Sequence, residues 1–339
     1  MRFSDINEMK GYLSIWLQNN MPFPGGAWEI GGGPGYTLSL FLEPPTTTHA
    51  TYEMVTPSAD HACVTMAVSP KAATHEPTNA VALKPPLKWA GGKRWLVPHL
   101  LPLWETHRHY RLVEPFCGGL AVALGLLPER ALLYDINPHT INFYRWLQRG
   151  LVLRIKLEND AELFYEHREE FNRLIAEEGS RTREAAEIFY FLNRTGFNGL
   201  CRFNSRGVFN VPFGRYKTIG YRRDLTPYRA TFSAWEFTSG DFADLALSAE
   251  DFVYADPPYD VEFRQYAAGG FGWEDQQRLA EWLARHPGPV IASNQATPRI
   301  LKLYRDLGFS LRLLDAPRMI SSNGDRRPAR EMLAMRGMT

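Results

Sequence analysis

The residues best suited to chemistry follow one another directly: Asp256, Pro257, Pro258 and Tyr259. The apolar run before them, residues 252–255, predicts a buried strand of a parallel sheet, and the two prolines predict a stiff turn after it. A carboxylate, a peptide carbonyl and an aromatic ring would then project together from the carboxyl end of that strand. Open α/β sheets bind their ligands at this edge.

This group suits the activation of an aromatic amine such as that of adenine, whose lone pair is delocalised into the ring. Asp256 and the carbonyl of Pro257 can accept hydrogen bonds from the amine and free its lone pair for attack. Tyr259 can stack on the base. The alternative is a strand that ends in an ordinary Pro-Pro turn, and these four residues alone do not decide between the two.

Length and composition are those of an ordinary globular protein with one large domain or two. The chain has 339 residues, of which 45% are hydrophobic and 22% charged, and its net charge is only +1. Cys63, Cys117 and Cys201 are far apart and predict neither a zinc site nor a disulfide framework. No apolar run reaches about 18 residues, and no secretory signal pattern opens the chain. We therefore expect a cytoplasmic protein without a membrane span or a metal.

Residues 1–82 differ in character from the rest of the chain. Clusters of glycine and proline interrupt any periodicity there, and charged residues are few. Residues 9–17 are compatible with a short helix and residues 36–42 with a strand. We expect a weakly structured extension or a small accessory domain, without catalytic residues.

Two glycine-containing loops follow. Residues 88–93 form a compact loop before a helix of about a dozen residues, and Lys93 supplies a cation there. Residues 112–119 predict a strand and a glycine turn, and a second strand ends at Asp135. An acid in that place can bind ribose hydroxyls, although residues 135–138 are equally compatible with a helix N-terminus. The absence of a G-x-G-x-x-G motif argues against a dinucleotide.

Alternating strands and helices predict one doubly wound α/β domain with a parallel sheet. Further strands are expected near residues 235–237, 252–255, 290–292 and 310–314, and helices at residues 121–127, 139–148, 161–177, 183–193, 273–285 and 297–307.

A basic, aromatic segment interrupts this pattern. Residues 188–223 contain arginines, a lysine and many aromatic residues but no Asp or Glu. A turn at residues 204–207 lies between residues 200–203 and 208–211, which predicts a β-hairpin. Single-sign charge, aromatic rings and a projecting hairpin indicate a DNA-contacting insertion. The alternative is an ordinary solvated face.

Seven motifs in one order resemble those of the Dam family of DNA adenine-N6 methyltransferases, of the α group and D12 class. They are residues 87–93, 113–116, 135–137, 193–202, 209–215, 256–259 and 320–324. The first 82 residues have no counterpart in the family pattern.

The resemblance implies a doubly wound, Rossmann-like methyltransferase sheet formed by residues 83–150 and 231–339. A target-recognition insert of helices and a β-hairpin is expected at residues 151–230. The implied reaction is methyl transfer from S-adenosylmethionine to the N6 amine of adenine in double-stranded DNA, within GATC. We expect a monomer that associates with the nucleoid through DNA. Alternatives are methylation of cytosine, RNA or a protein amide, an inactive DNA-binding homologue, and a nucleotide-binding scaffold.

The resemblance also implies roles for the residues that match the family motifs. The catalytic residues would be Asp256, Pro257, Pro258 and Tyr259. The cofactor would contact Trp89, Lys93, Glu114, Phe116, Gly118, Asp135 and Asp256. The target adenine would be flipped out of the duplex, and DNA would be contacted by Lys88, Arg194, Phe197, Asn198, Leu200, Arg202, Pro212 and Arg215.

The family pattern also implies which residue would contact which base of GATC. Lys88 stands where the family contacts the outer guanine on one side, and Arg202 where it reads the other guanine in the major groove. Leu200 and Pro212 stand where apolar groups meet the thymine methyl and neighbouring bases. The alternative is that Arg202 binds only phosphate, which carries no sequence information.

Two positions depart from the family pattern. Phe197 replaces the usual tyrosine, so a ring can still wedge into the DNA but a hydroxyl contact is lost. The family sequence Phe-x-Gly-x-Gly is here residues 116–120, which end in Leu120. The second glycine is therefore displaced, which puts the backbone path around the methionine part of the cofactor in question.

Overall fold

The computed structural model describes residues 83–177, 181–260, 271–316 and 329–338, together with the backbone of four strands between residues 27 and 67. The chain divides into two compact units, Met1–Asn79 and Ala80–Thr339.

The first unit contains a four-stranded antiparallel sheet in the order β1-β2-β3-β4. Its strands are β1 (Ala27–Gly31), β2 (Thr37–Phe41), β3 (His49–Val55) and β4 (His61–Ala67). The sequence predicted β2 but none of the other three, because glycine and proline clusters hid their short alternating patterns. The helix expected at residues 9–17 lies outside the described residues.

The second unit is built on a seven-stranded sheet in the order β10-β11-β9-β8-β5-β6-β7. The strands are β5 (Arg111–Glu114), β6 (Ala131–Asp135), β7 (Trp235–Ser239), β8 (Asp251–Ala255), β9 (Val290–Gln295), β10 (Ser310–Ala316) and β11 (Ala329–Arg336). The helices are α1 (Val97–Glu105), α2 (Ala123–Leu126), α3 (Pro138–Gln148), α4 (Ala161–Ala176), α5 (Arg183–Thr195), α6 (Thr226–Phe232), α7 (Trp273–Arg285) and α8 (Pro298–Asp306).

The sheet confirms the doubly wound α/β fold but is not wholly parallel. Strands β5 to β9 pair in parallel, whereas β11 runs antiparallel to both β9 and β10. The expected parallel pairing is therefore wrong only for β11, a strand that the sequence pattern did not predict. Strands that are consecutive in the chain and adjacent in a sheet, as β10 and β11 are, pair antiparallel unless a crossover separates them.

Both faces of the central strands are buried, which explains their continuous apolar sequences. In β8 all five residues are buried. Successive side chains of a strand point to opposite faces, and accordingly Phe252 and Tyr254 join one apolar cluster while Val253 and Ala255 join the other. The helices on the two faces thus fix the carboxyl end of β8, where Asp256 begins the Pro-Pro turn.

The basic segment follows α5 as an irregular chain held at two β-bridges. Phe203 pairs with Phe209 and Gly196 with Phe213, both antiparallel. The turn between the first pair is closed by the Asn204 amide, which donates to the Val208 carbonyl at 2.9 Å. The predicted hairpin is therefore present, with one bridge in place of two full strands.

Candidate functional site

Three carboxylates lie along one edge of the sheet, at the carboxyl ends of adjacent strands. Glu114 ends β5, Asp135 ends β6, and Asp256 follows β8 directly. Because β8, β5 and β6 are neighbours in that order, the parallel fold brings together residues that are far apart in the sequence.

Asp256 is held by groups from two other elements. The Lys93 ammonium lies 3.1 Å from its Oδ1 atom, and the Ser293 hydroxyl of β9 donates to the same oxygen at 2.7 Å. The Tyr254 hydroxyl lies 3.0 Å from that of Ser293. Burial raises the pKa of Asp256 above its ordinary value, although Lys93 and Ser293 oppose the shift. The carboxylate is thus fixed in place as a hydrogen-bond acceptor.

The backbone of residues 256–259, which we call the catalytic turn after its predicted role, is also fixed. Pro257 is buried and Pro258 exposed, and the Pro258 carbonyl accepts a hydrogen bond from the Gln276 side chain at 2.8 Å. Gln276 in turn accepts one from the Asn294 side chain at 2.9 Å. Gln276 and Asn294 are fully buried. The peptide groups that follow Asp256 therefore have little freedom.

The ring of Tyr259 is held at its edge and over one face. Its hydroxyl donates to Glu331 Oε2 at 2.5 Å, and the Lys93 ammonium lies 4.5 Å from the ring centroid. Sequence reasoning missed Glu331, because an acid in the last strand carries no signal of a partner 72 positions earlier.

Asp135 organises the neighbouring loop through its two oxygens. The amide of Gly118 donates to Oδ2 and that of Asn137 to Oδ1, each at 2.9 Å. The N-cap of α3 is Asn137, whose side chain accepts from the amides of His139 and Thr140. The helix N-terminus is therefore confirmed at Asn137, while ribose binding by Asp135, which has lone pairs left for another donor, stays a prediction.

Trp89 packs against the glycine turn at close range. A Cβ atom on Gly118 would lie 2.5 Å from the Trp89 Nε1 atom, and one on Gly119 would lie 2.7 Å from the Trp89 Cβ. Leu120 has φ 61° although it is fully buried. The left-handed backbone that the displaced glycine would favour is thus adopted by a leucine.

Glu114 and Phe116 complete this end of the sheet. Glu114 is 3% exposed, and burial raises the pKa of its carboxyl well above the usual range. Its Oε1 atom has no hydrogen-bond partner among the described residues. Phe116 is half-buried against the rings of Phe242 and Phe271, each at a centroid distance of 5.6 Å. The buried, unpartnered oxygen of Glu114 leaves room for a ligand that donates a hydrogen bond.

Lys88 is tied to the start of the basic segment. The side chain of Asn193 bonds both its amide and its carbonyl, each at 2.8 Å. The Lys88 ammonium donates to the Arg194 carbonyl at 2.6 Å and lies 3.6 Å from the centroid of the Tyr216 ring. Burial and the charge of Arg194 lower the pKa of Lys88 to about 8.

Most of the other predicted DNA-contacting residues are exposed. Phe197 is 46% exposed, its amide donates to the Pro212 carbonyl at 2.9 Å, and Leu200 is half-buried nearby in the chain. Arg194 differs, because it is half-buried and donates to the Gly220 carbonyl. The exposed residues among them are Phe197, Asn198, Arg202, Pro212 and Arg215; we call these five residues together the reading face, after their predicted role.

The hairpin of the reading face rests on the helices beneath it. Asn172 of α4 accepts from the Phe209 amide at 2.8 Å and donates to the Phe209 carbonyl at 3.1 Å. His139 stacks on Phe203 with 4.9 Å between ring centroids. Arg202 donates through Nε to the Asn210 side chain at 2.8 Å. Asn172 and His139 were not predicted, since on their own helices they look like ordinary core or surface residues.

Comparison with known proteins places the chain in a family. The model of the D12 class N6 adenine-specific DNA methyltransferases matches residues 89–320, so the chain belongs to that family. It is an S-adenosylmethionine-dependent, adenine-specific DNA methyltransferase. The family predicted from the seven motifs is confirmed. The family's methyl acceptor is adenine in DNA, which argues against the alternatives of cytosine, RNA and a protein amide.

Several curated relatives agree with this assignment. The DNA adenine methylase of Escherichia coli (strain K12) is 37% identical over 272 residues, which are 74% of this chain and 94% of that protein. The type II methyltransferase M1.LlaDCHI of Lactococcus lactis subsp. cremoris is 35% identical over 261 residues, 71% of this chain and 90% of that protein. The DNA N-6-adenine-methyltransferase of Escherichia phage P1 is 35% identical over 258 residues, but the match spans 33% of that protein.

No helix within the described part of the chain is long and apolar enough to cross a membrane.

Proposed function

We propose that this enzyme methylates the adenine of GATC in duplex DNA, with Asp256 as the acceptor that activates the amine. The observation that supports it most is the Asp256 carboxylate, fixed by Lys93 and Ser293 at the edge of the sheet and followed by the immobilised turn and ring. Preorganised acceptors of this kind lower the barrier without reorganising during the reaction.

Asp256 and the backbone carbonyl of Pro257 would draw the two amine protons of adenine away from the ring plane. The nitrogen lone pair is then available for attack, and the stacked ring of Tyr259 keeps the base in line with the methyl group. When bound, S-adenosylmethionine supplies a methyl group that its sulfonium already makes electrophilic. A carbon–nitrogen bond forms, a carbon–sulfur bond breaks, and the amine proton leaves to Asp256 or to water.

The residues along the sheet edge fit this cofactor. The unpartnered Oε1 of Glu114 suits a donor such as an ammonium group. Asp135 retains lone pairs for ribose hydroxyls after its two backbone contacts. Trp89, Lys93, Phe116 and Gly118 surround the same edge, so we assign the cofactor to these six residues together with Asp256.

For GATC, the support lies in the match between the reading face and the family pattern. Arg202 is exposed, and Asn210 orients its guanidinium, as a bidentate contact to guanine O6 and N7 requires. Lys88 uses one of its three ammonium donors on Arg194 and would contact the other guanine. Leu200 and Pro212 supply apolar contacts to the bases between, and Phe197 fills the space left by the flipped adenine.

Expression of the chain in a host without adenine methylation tests this proposal. Plasmid recovered from the cells would be sequenced as single molecules and digested with nucleases sensitive to GATC methylation. We expect modified adenine in GATC only. Modified adenine in motifs that lack the GATC core would overturn the sequence assignment. Plasmid from cells that express Asp256→Ala is the control, and the mechanism requires that its adenine methylation is lost.

A further inference from the structure

We propose that Glu331 is a positioning residue for the methyl-transfer reaction, which acts by holding the phenol of Tyr259 so that its ring stands ready to stack on the target base. The inference rests on the proposed role of Tyr259 in the catalytic turn. It adds a residue from the opposite end of the chain, outside the predicted motifs.

The contact is short and charge-assisted. The Tyr259 hydroxyl donates to Glu331 Oε2 at 2.5 Å, within the range typical of a hydroxyl bonded to a carboxylate. Burial raises the pKa of both groups above their ordinary values, the carboxyl of Glu331 and the phenol of Tyr259. The phenol therefore stays protonated and keeps its hydrogen for the carboxyl oxygen.

Glu331 is itself held firmly. It is 9% exposed and lies in β11, which pairs with β9 and β10 on its two sides. Gln295 and Leu314 are its partners in those strands. Two strands therefore fix the backbone of Glu331, and its buried side chain holds the Tyr259 hydroxyl from outside the turn.

The remaining contacts of the turn restrain other atoms than the Tyr259 hydroxyl. Ser293 fixes the carboxylate of Asp256, and Gln276 fixes the Pro258 carbonyl. Lys93 faces the Tyr259 ring at 4.5 Å from its centroid and so acts on the ring face, whereas Glu331 holds the hydroxyl and restrains the swing of the side chain about its Cα–Cβ bond. Glu331 restrains the far end of the ring, and this is the restraint that a stacking platform needs.

A double-mutant cycle isolates this contact. The variants are Glu331→Ala, Tyr259→Phe and the two combined, and Glu331→Gln is a conservative variant that keeps an acceptor. Glu236→Ala is the control, since that glutamate lies exposed on β7 at the other edge of the same sheet. For each variant the single-turnover rate, the cofactor dissociation constant and thermal unfolding would be measured, on a duplex that the unmodified enzyme methylates.

We expect Glu331→Ala to slow single-turnover methylation about tenfold, with cofactor affinity within about twofold of normal, because a charged hydrogen bond to the phenol is lost. In the Tyr259→Phe background the same change should have almost no further effect. Glu331→Gln should recover most of the rate, and Glu236→Ala should leave it unchanged. The fluorescence of 2-aminopurine placed at the target adenine should show a less stacked flipped base in Glu331→Ala.

Losses that add independently in the double variant would overturn the proposal, as would a normal rate in Glu331→Ala. If Glu331→Ala fails to fold, the comparison of Glu331→Gln with Tyr259→Phe decides instead: a rate for Glu331→Gln below that of Tyr259→Phe would contradict action through the phenol. The cycle can use any duplex that the unmodified enzyme methylates, so its outcome does not depend on the GATC assignment. If that assignment fails, the methylated sequence will differ from GATC, but the comparison of the variants will still be valid.

Discussion

The catalytic turn and the reading face are held in opposite ways. In the catalytic turn the functional atoms themselves are bonded: the Asp256 carboxylate to Lys93 and Ser293, and the Tyr259 hydroxyl to Glu331. On the reading face the backbone is bonded and the side chains are exposed, although Asn210 also accepts a hydrogen bond from Arg202. Asn172 holds the backbone of Phe209 from beneath, while Phe197 and Arg202 remain exposed.

This difference fits the roles that we propose for the two regions. A reaction centre gains rate when the reacting groups are already in place, so its polar side chains are satisfied within the protein. A surface that reads bases must present unsatisfied donors and apolar groups to an incoming duplex. We therefore expect changes in the catalytic turn to reduce rate on every sequence and changes on the reading face to alter the choice of sequence.

Asp256→Ala should have the largest effect. It removes the acceptor for the amine and leaves the Lys93 ammonium without its carboxylate partner, so we expect the rate at saturating cofactor to fall about 100- to 1,000-fold. Radiolabelled methyl transfer to duplex DNA measures it. Asp306→Ala, at the exposed end of α8, is the matched control, and a near-normal rate for Asp256→Ala would refute the mechanism.

Arg202→Ala should have a smaller effect that depends on sequence. We expect a cost of about 1–3 kcal/mol on the matching site and a relaxed preference at one base pair. The measurement compares GATC duplexes with duplexes in which one G·C pair is replaced. Arg206→Ala, in the exposed turn of the same hairpin, should lower activity on all sequences alike. Uniform weakening by Arg202→Ala would show that Arg202 contacts only phosphate.

The pH dependence of DNA affinity should show the contribution of the Lys88 charge. Its pKa is lowered from the model-compound value to about 8, so the ammonium is charged below that pH and loses its charge as the pH rises through it. Loss of one cation at a DNA interface should weaken affinity by less than about tenfold. Fluorescence anisotropy from pH 6.5 to 9.5 tests this. Lys88→Arg, charged throughout, should flatten the profile, and an unchanged slope in that variant would contradict the assignment.

Removal of the first unit should have the smallest effect. The residues assigned to chemistry and DNA all lie in Ala80–Thr339, and the structure divides the chain close to residue 79. A chain that begins at Asn79 should therefore keep its fold and its methylation rate within about twofold. Circular dichroism and methyl transfer provide the test. Loss of folding or of DNA binding would show that the first unit is integral to the enzyme.

The sequence predicted those parts of the site that local pattern determines. Asp256 and Asp135 follow apolar strands directly, and the parallel fold brings the ends of such strands to one edge. Ser293, Gln276 and Glu331 could not be found in this way, because their contacts depend on how distant strands and helices pack. The same reason explains why β11, the strand that carries Glu331, was not predicted. It lies between β10 and β9 and runs antiparallel to both, whereas alternating strands and helices predict parallel neighbours.

The most direct test is the ratio of kcat/KM on GATC to kcat/KM on a duplex with one G·C pair replaced, measured for the unmodified enzyme, Asp256→Ala and Arg202→Ala. Separate roles for the two regions predict that Asp256→Ala lowers both values by a similar factor and keeps the ratio. Arg202→Ala should lower the ratio by about 5-fold or more. A preserved ratio in Arg202→Ala, or a changed ratio in Asp256→Ala, would contradict the division between catalysis and reading.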